Sequence, residues 1–281
     1  PLSWVAGLYL LREDVERIDS YDRDFLGATS YPIYNQHNTT TSIAAFGNVV
    51  YAMTEKMRVS VGVRYTKDRK HMDNTLEDGL NGTSTNGLVP AIALYDVSVS
   101  DSWDAFTPKA TLDYSPTEKF YLYATYAAGF KAGGFQGVAP EVVAASTPFL
   151  PEKVRSFEVG AKTRWFSDRL QVNTAAFSMD YTDMQLGLRI LTRPGDESSA
   201  LRLLTNASDA RIRGVEFETL ARPIRGLTLA LNYTYLDTEL QNYNPGFGGV
   251  DLSGNELPSP NHALTASLDY QMSVGQGSSL G

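Results

Sequence analysis

The feature that most constrains this chain is an alternation of apolar and polar residues that recurs along most of its length. In residues 226–236, GLTLALNYTYL, large apolar side chains occupy every second position: Leu227, Leu229, Leu231, Tyr233 and Tyr235. The positions between them are small or polar. A helix would distribute these two sets around its surface, whereas an extended chain sorts them onto opposite faces. The segment is therefore predicted to be a β-strand with one apolar and one polar face.

The same alternation appears in other segments, and most clearly at 57–66, 105–114, 156–165 and 212–220. In 42–53 and 168–181 it is too blurred to show which residues share a face. The whole pattern predicts about ten strands, near residues 2–13, 41–53, 57–70, 103–114, 119–130, 153–165, 169–186, 211–221, 227–240 and 261–272.

The connections between these strands alternate between short and long. The short ones are polar turns at 54–56, 115–118, 166–168 and 222–226. The long ones are rich in Gly, Asn, Ser, Thr and Asp and are predicted to be loops, at 14–39, 71–101, 131–151, 187–210 and 241–259. The chain therefore reads as a series of hairpins with tight turns at one end and long loops at the other.

A soluble sandwich and a transmembrane barrel both produce such alternation. Strands of soluble sheets average about 5–6 residues, and the predicted strands are longer. The polar face of 156–165 carries full charges at Glu158, Lys162 and Arg164. Aromatic residues cluster beside the short turns, at Tyr51, Tyr114, Phe120, Trp165 and Phe166. We therefore predict an all-β fold, an antiparallel transmembrane β-barrel with short periplasmic turns and long extracellular loops. A soluble all-β binding or adhesion domain is the alternative.

Composition narrows the class further. The 281-residue chain has a net charge of −8 and no basic stripe, which argues against a nucleic-acid partner. It has no cysteine, which excludes disulfides and thiolate metal sites. It begins inside a strand-like segment, PLSWVAGLYLLRED, without an initiator methionine, and ends in GQGSSLG. We therefore expect it to be an internal piece of a longer protein.

Four stretches resemble the C-terminal part of the barrel of TonB-dependent outer-membrane receptors of Gram-negative bacteria. They are VSVGVRYTKD (59–68), YATYAAGFKAGGF (123–135), the long run from FLPEK to TDMQ (149–185) and the run from TNASD to DTEL (205–240). Residues 252–270, LSGNELPSPNHALTASLDY, are similar to the late strands of that family. Among the family's members, receptors for iron complexes are the most similar.

The resemblance implies an outer-membrane importer. Such receptors have about 22 strands, so residues 1–281 would supply about ten strands of a single barrel domain, with the plug domain absent. The implied ligand is a ferric siderophore or another iron complex. The implied partners are TonB with ExbB and ExbD, reached through the missing N-terminal region, the receptor's own plug, and outer-membrane lipid and lipopolysaccharide. A passive outer-membrane porin is the alternative.

The stretch 120–137, FYLYATYAAGFKAGGFQG, combines aromatics with a glycine-flanked Lys131. A phosphate-binding loop requires G-x-x-x-x-G-K-[ST] between a strand and a helix, and Lys131 has neither the offset nor the following hydroxyl residue. We instead predict a strand at 119–130 that passes into an outer loop. Leu122, Ala124 and Tyr126 would face lipid, and the alternate residues Tyr121, Tyr123 and Thr125 would face the bore or the plug.

No motif indicates catalysis, a cofactor or a metal site. The chain has three histidines, at 37, 71 and 262, which are predicted to lie in loops or at a strand start without metal-ligand spacing. G-x-S-x-G is absent. The protein is therefore not expected to be an enzyme.

Ligand contacts are expected on the loops, because binding residues concentrate on loops held by a rigid scaffold. The predicted loop near 14–38 combines aromatic residues with an arginine and a histidine, which suit a flat anionic chelate through stacking and charge-assisted hydrogen bonds. The ligand-contact candidates are Tyr21, Arg23, Phe25, Tyr31, Tyr34 and His37.

Overall fold

A computed structural model describes residues 1–20, 32–78, 94–191, 200–243, 250–274 and 278–280. Ten strands form one antiparallel sheet in which each strand pairs with its neighbours in sequence. The strands are β1 (Leu2–Ser20), β2 (Pro32–Ala52), β3 (Met57–Asp78), β4 (Tyr95–Thr117), β5 (Phe120–Lys131), β6 (Glu152–Trp165), β7 (Leu170–Leu191), β8 (Ala200–Ala221), β9 (Leu227–Gln241) and β10 (His262–Tyr270). The sheet does not close, so β1 and β10 are its edges.

Outside the sheet lie a small hairpin and one short helix. The hairpin pairs β11 (Met272–Val274) with β12 (Ser278–Leu280), and the helix α1 (Val142–Ser146) lies between β5 and β6. None of the helices in the described part of the chain has the length and apolar character needed to cross a membrane.

All ten predicted strands are present, but several extend far into segments that were predicted to be loops. The β1–β2 ladder continues to the pair Ser20 and Ile33, and β3 and β4 pair as far as Leu76 and Tyr95. The predicted loop boundaries at 14–39, 71–101 and 187–210 are therefore wrong. In the extensions of β1 to β4 the face that is apolar elsewhere is mostly polar, so the outer apolar stripe does not continue, although the backbones hydrogen-bond across the same ladder. In β4 the apolar residues Tyr95 and Val97 lie on the opposite face.

The two faces of the sheet have opposite exposure. On the apolar face, Val61, Phe157 and Leu268 are 49%, 53% and 69% exposed. On the polar face, residues such as Tyr123 and Glu158 are half-buried against one another. A soluble protein would cover a continuous apolar face of this size. Here the apolar face stays exposed along successive strands, which is the arrangement expected where the surrounding medium is lipid.

The pairing register also assigns the faces that the sequence left ambiguous. In β2, Ile43, Val49 and Tyr51 share the exposed apolar face with their partners in β3. In β7, Val172 and Ala176 lie on this face because they pair with apolar-face residues of β6 and β8. Neighbouring strands constrain each other because a slip of one residue would turn every side chain to the opposite face.

The short turns lie at one end of the sheet, as predicted. In the β6–β7 turn, Phe166, Ser167 and Asp168 have positive φ angles of 52°, 54° and 66°. Beside this turn, the rings of Phe120 and Trp165 meet edge to face with their centroids 5.0 Å apart. Such aromatic pairs at the ends of apolar strands are typical of a membrane–water interface.

Candidate functional site

A long connection folds back over the polar face of the sheet. We call residues 132–151, between β5 and β6, the strap. Its residues Ala139 and Ala145, the second within α1, are fully buried. They pack in a cluster with four side chains of the wall: Tyr34, Leu76, Tyr95 and Val97. The strap therefore covers the polar face of β2, β3 and β4 at the end of the sheet opposite the short turns.

The two ends of the strap are closed by backbone pairing and by one glutamine. Gly134 and Phe149 exchange two backbone hydrogen bonds, with N–O distances of 3.2 and 2.9 Å. From β7, the buried Gln185 donates to the carbonyl oxygens of Ala132 at 3.0 Å and Leu150 at 2.9 Å. The side-chain amide of Gln185 thus attaches both ends of the strap, at Ala132 and Leu150, to the wall.

Two further side-chain amides each make two hydrogen bonds to the backbone of a single residue, one as the donor and one as the acceptor. The Asn206 side chain in β8 accepts from the Leu150 amide at 2.6 Å and donates to the Leu150 carbonyl at 2.8 Å. The strap residue Gln136 pairs in the same two-sided way with the backbone of Leu204 in β8. These contacts give hydrogen-bond partners to the backbone groups of Leu150 and Leu204.

The middle of the strap, at Gly137 and Ala139, is held by side chains of β3 and β4. The Asn74 side chain is fully buried and donates to the Gly137 carbonyl at 3.0 Å. The Tyr95 hydroxyl donates to the Ala139 carbonyl at 3.3 Å. Burial beneath the strap raises the pKa of Tyr95 above its ordinary value. The strap is therefore attached to the wall from β2 to β8.

In the stretch GFKAGGFQG (129–137), Gly133 lies where the strap comes very close to the wall. A Cβ atom on Gly133 would lie 2.3 Å from the Phe149 carbonyl oxygen and 2.6 Å from the buried Trp103 ring. Only a residue without a side chain allows the strap to lie this close to the wall. As predicted, the stretch is a strand that continues into a connection, and Lys131 is the last residue of that strand.

The described residues include two of the six predicted ligand-contact residues, Tyr34 and His37. Tyr34 is 2% exposed and lies beneath the strap. His37 is exposed and lies three positions further along β2, on the opposite face of the sheet. These two side chains are therefore not brought together. The other four candidates, Tyr21, Arg23, Phe25 and Tyr31, lie outside the described residues.

Beyond the strap, the polar face carries paired charged and hydroxyl groups. The hydroxyls of Tyr121 and Tyr123 donate to Asp113 at 2.5 Å and Glu158 at 2.7 Å. The Asn173 amide donates to Glu218 at 3.2 Å. These polar groups are therefore hydrogen-bonded to one another across neighbouring strands of the polar face.

In the described part of the chain the histidines do not belong to any group of residues that could hold a metal ion. His71 is held between Ser100 at 2.9 Å and Asp73 at 3.1 Å, and no cluster there could hold a metal ion. A hydrogen bond from Ser98 and the nearby His71 and His37 lower the pKa of Asp73. His37 and His71 lie within strands rather than in the predicted loops, because β2 and β3 extend further than the apolar stripe.

Replacing Gln185 with leucine is expected to loosen the strap. The variant loses two hydrogen bonds and leaves the Ala132 carbonyl unpaired, while the Leu150 carbonyl keeps its hydrogen bond from Asn206. This loss lowers the free energy of local opening by about 1–2 kcal/mol. Hydrogen–deuterium exchange of residues 132–151 in the full-length protein should become roughly tenfold faster. Gln171→Leu, an exposed position near the short turns, is the matched control. Equal exchange in both variants would contradict the clamping role of Gln185.

Sequence reasoning missed the strap and the residues that hold it. Asn74, Gln185 and Asn206 lie in segments without an apolar stripe, so they resemble ordinary loop polar residues. The sequence feature that could have indicated the strap is the pair Gly133–Gly134, because adjacent glycines directly after a strand indicate a close backbone approach.

The fold and sequence were compared with known proteins. A family model described as "TonB dependent receptor-like, beta-barrel" matches residues 3–279. The chain is 24% identical over 241 residues to the pesticin receptor of Yersinia enterocolitica, covering 85% of this chain and 32% of that receptor. It is 24% identical over 261 residues to the probable TonB-dependent siderophore receptor PiuA of Acinetobacter baumannii, covering 88% and 32%. The chain thus spans about a third of the length of these curated relatives.

Solved structures show the same fold. The ferric yersiniabactin uptake receptor FyuA from Yersinia pestis superposes with a TM-score of 0.76 at 20% identity, covering 98% of this chain and 38% of that receptor. The copper transporter OprC superposes with a TM-score of 0.54 at 14% identity, covering 86% of this chain and 41% of that protein. At these identities the superpositions establish the architecture of the sheet alone.

Proposed function

Because this chain belongs to the TonB-dependent receptor family, whose barrel domain it matches over residues 3–279, we propose that it forms part of the wall of a receptor importing a ferric siderophore. Members of this family are outer-membrane β-barrel proteins, so the exposed apolar face contacts lipid and the polar face lines the bore. The strap then lies inside the mouth of the bore, at the extracellular end opposite the short turns.

The strap is the observation that carries this proposal. A diffusion pore keeps a continuous water-filled channel, and this wall is covered from β2 to β8 by a connection that is attached to it at several points. Such a surface narrows the mouth and provides a rigid platform on which a ligand can be captured. The names of the ferric yersiniabactin uptake receptor FyuA and of the probable siderophore receptor PiuA support a ferric siderophore as the ligand.

In the proposed mechanism, residues 1–281 are one part of a single barrel domain, and the plug and TonB-contacting segment belong to other parts of the receptor. Ligand is captured at the mouth of the bore, and TonB with ExbB and ExbD then uses the inner-membrane proton gradient to move the plug. The polar wall groups, including Glu158 and Glu218, would contact the hydrated plug surface. No catalytic step is involved.

The ligand-contact candidates fall into two groups in this proposal. Tyr21, Arg23, Phe25 and Tyr31 lie in sequence between β1 and β2, and their aromatic and guanidinium groups would suit an anionic iron chelate. Tyr34 could contact ligand only after the strap lifts, since it is 2% exposed. His37 faces away from the bore, so its contact would require a ligand at the outer rim.

Uptake by the full-length receptor tests the proposal. In cells lacking their own siderophore receptors, we expect ⁵⁵Fe uptake from one member of a panel of ferric catecholates, hydroxamates and phenolates. That uptake should disappear when TonB is deleted. Uptake that persists without TonB would indicate a passive porin, and a failure to take up any ferric chelate would reject the iron-complex ligand.

A further inference from the structure

The turns that follow β6 and β8 meet at the short-turn end of the sheet and form part of a cavity of about 590 Å³. The cavity is lined by Arg169 at the end of the first turn and by Arg222 and Arg225 in the second. The Arg222 amide donates to the Arg169 carbonyl at 2.7 Å, so backbone pairing holds the two turns side by side. All three side chains are exposed. We call these residues the three turn arginines.

The pairing register places this cavity on the polar face of the sheet. Thr228 of β9 lies opposite Asp269 of β10, and both residues line the cavity. Thr228 shares its face with Asn232, because residues an even number apart in a strand point the same way. Asn232 lies opposite Glu218 on the bore side. In the proposed barrel, the cavity therefore lies at the periplasmic mouth of the bore.

Positive charge dominates the lining of this cavity, although the whole chain has a net charge of −8. The three turn arginines are accompanied there by a single carboxylate, that of Asp269. In the described part of the chain, none of the three arginines belongs to an ion pair. Asp168 in the first turn lies 3.7 Å from Arg164 instead. The cavity therefore presents cations that the described residues do not neutralise.

A second, smaller cavity continues this basic surface toward β5. It has a volume of about 140 Å³ and is lined by one acidic residue, Glu118, and by three basic residues, Lys119, Lys162 and Arg164. Gln171 also lines it and lies two positions after Arg169, a separation of about 7 Å along an extended chain. Basic side chains therefore line this mouth of the bore from β5 to β9.

We infer that the three turn arginines form an exit site, which binds an anionic ferric chelate as it leaves the bore. The planar guanidinium fork makes paired hydrogen bonds to carboxylate oxygens. The cavity also has the size of a small-molecule site, roughly 300–1,000 Å³. This inference rests on the proposed import of a ferric chelate, and it narrows the cargo to one with a net negative charge and carboxylate oxygens at its surface.

Binding of ferric citrate to the purified full-length receptor tests the exit site. The probe is titrated at low ionic strength into the receptor in detergent, for the unmodified protein and for the variant R169Q/R222Q/R225Q. The variant should bind roughly tenfold more weakly, a difference of about 1.4 kcal/mol, because it removes three cations from one concave surface. A neutral ferric hydroxamate should show no difference between the two proteins.

The charge-matched control is K67Q/R69Q/R155Q, which removes three exposed cations from the outer face toward the opposite end of the sheet. It should bind ferric citrate as the unmodified receptor does. The replaced side chains are exposed in both variants, and heat-modifiable migration on gels should show that both are folded. Unchanged binding in the turn variant, or equal loss in the control, would overturn the inference. Displacement of ferric citrate by an equal concentration of phosphatidylglycerol would identify a lipid headgroup site and also reject it.

Uptake separates the exit site from the proposed function. In cells, R169Q/R222Q/R225Q should lower the maximal rate of ⁵⁵Fe uptake from an anionic ferric chelate and leave the half-saturating concentration unchanged, because the exit site acts after capture at the other end of the bore. An equal effect on uptake from a neutral chelate would contradict a role based on charge. A receptor that imports no ferric chelate would reject the proposed function, whereas import that is unaffected by loss of the turn arginines would reject the exit site alone.

Discussion

Replacing Leu231 with arginine is expected to destabilise the folded receptor in a bilayer by about 2–4 kcal/mol. Leu231 is the middle member of the apolar stripe of β9 and is 37% exposed. Near the bilayer midplane a guanidinium loses its hydration and has no partner there. The measurement is reversible urea unfolding of the full-length receptor in liposomes, with the free energy of unfolding extrapolated to zero denaturant.

The adjacent residue provides the matched control. Asn232 lies on the opposite face of the same strand, where it pairs with Glu218 of β8 in register. Asn232→Arg introduces the same side chain into the hydrated bore, so the free energy of unfolding should change by less than about 0.5 kcal/mol. Similar losses in the two variants would mean that both faces meet the same medium, and the barrel assignment would be wrong.

Replacing Gly133 with alanine is expected to displace the strap from the wall. The added methyl group would lie 2.3 Å from a backbone carbonyl oxygen, which cannot rotate away as a flexible side chain would. Overpacking of this kind costs about 1–3 kcal/mol. In the full-length receptor, limited proteolysis should cut within 132–151, and capture of a ferric chelate should weaken while the barrel stays folded.

Gly47 is the matched control for this substitution. A Cβ atom there would lie 3.7 Å from the nearest atom, the Val5 carbonyl oxygen, so Gly47→Ala should leave both readouts unchanged. If Gly133→Ala also leaves the strap resistant to protease and the capture of chelate intact, the strap is not positioned by contact with Trp103 and Phe149. If only proteolysis changes, the strap is present but does not form the ligand platform.

The strands and their faces were predictable where one face meets lipid. The stripes at 57–66, 156–165 and 227–235 are regular because each outward residue must be apolar and each inward residue can be polar. The prediction failed in the extensions of β1 to β4, where the outer face is mostly polar and the apolar inner residues, such as Tyr34 and Val97, lie beneath the strap. Residues such as His37 and His71 were therefore assigned to loops, although backbone pairing alone makes these segments strands.

The candidate site was much less predictable than the sheet. Aromatic and basic residues near 21–37 indicated a ligand surface, but the sequence could not show that Tyr34 and His37 point to opposite sides or that Tyr34 is covered. The strap covers Tyr34 because Asn74, Gln185 and Asn206 hold it, and these residues are 35 to 63 positions away from the strap residues they contact. No local pattern encodes contacts over such distances.

The order of residues alone was enough to establish an antiparallel sheet with one lipid-facing side, because the period of two is a local property of each strand and the membrane acts on every strand alike. The family followed from the same local stretches. Only the three-dimensional arrangement showed that the connection after β5 turns inward and lies on the wall, since that outcome depends on whether buried amides from distant strands can pair with its backbone.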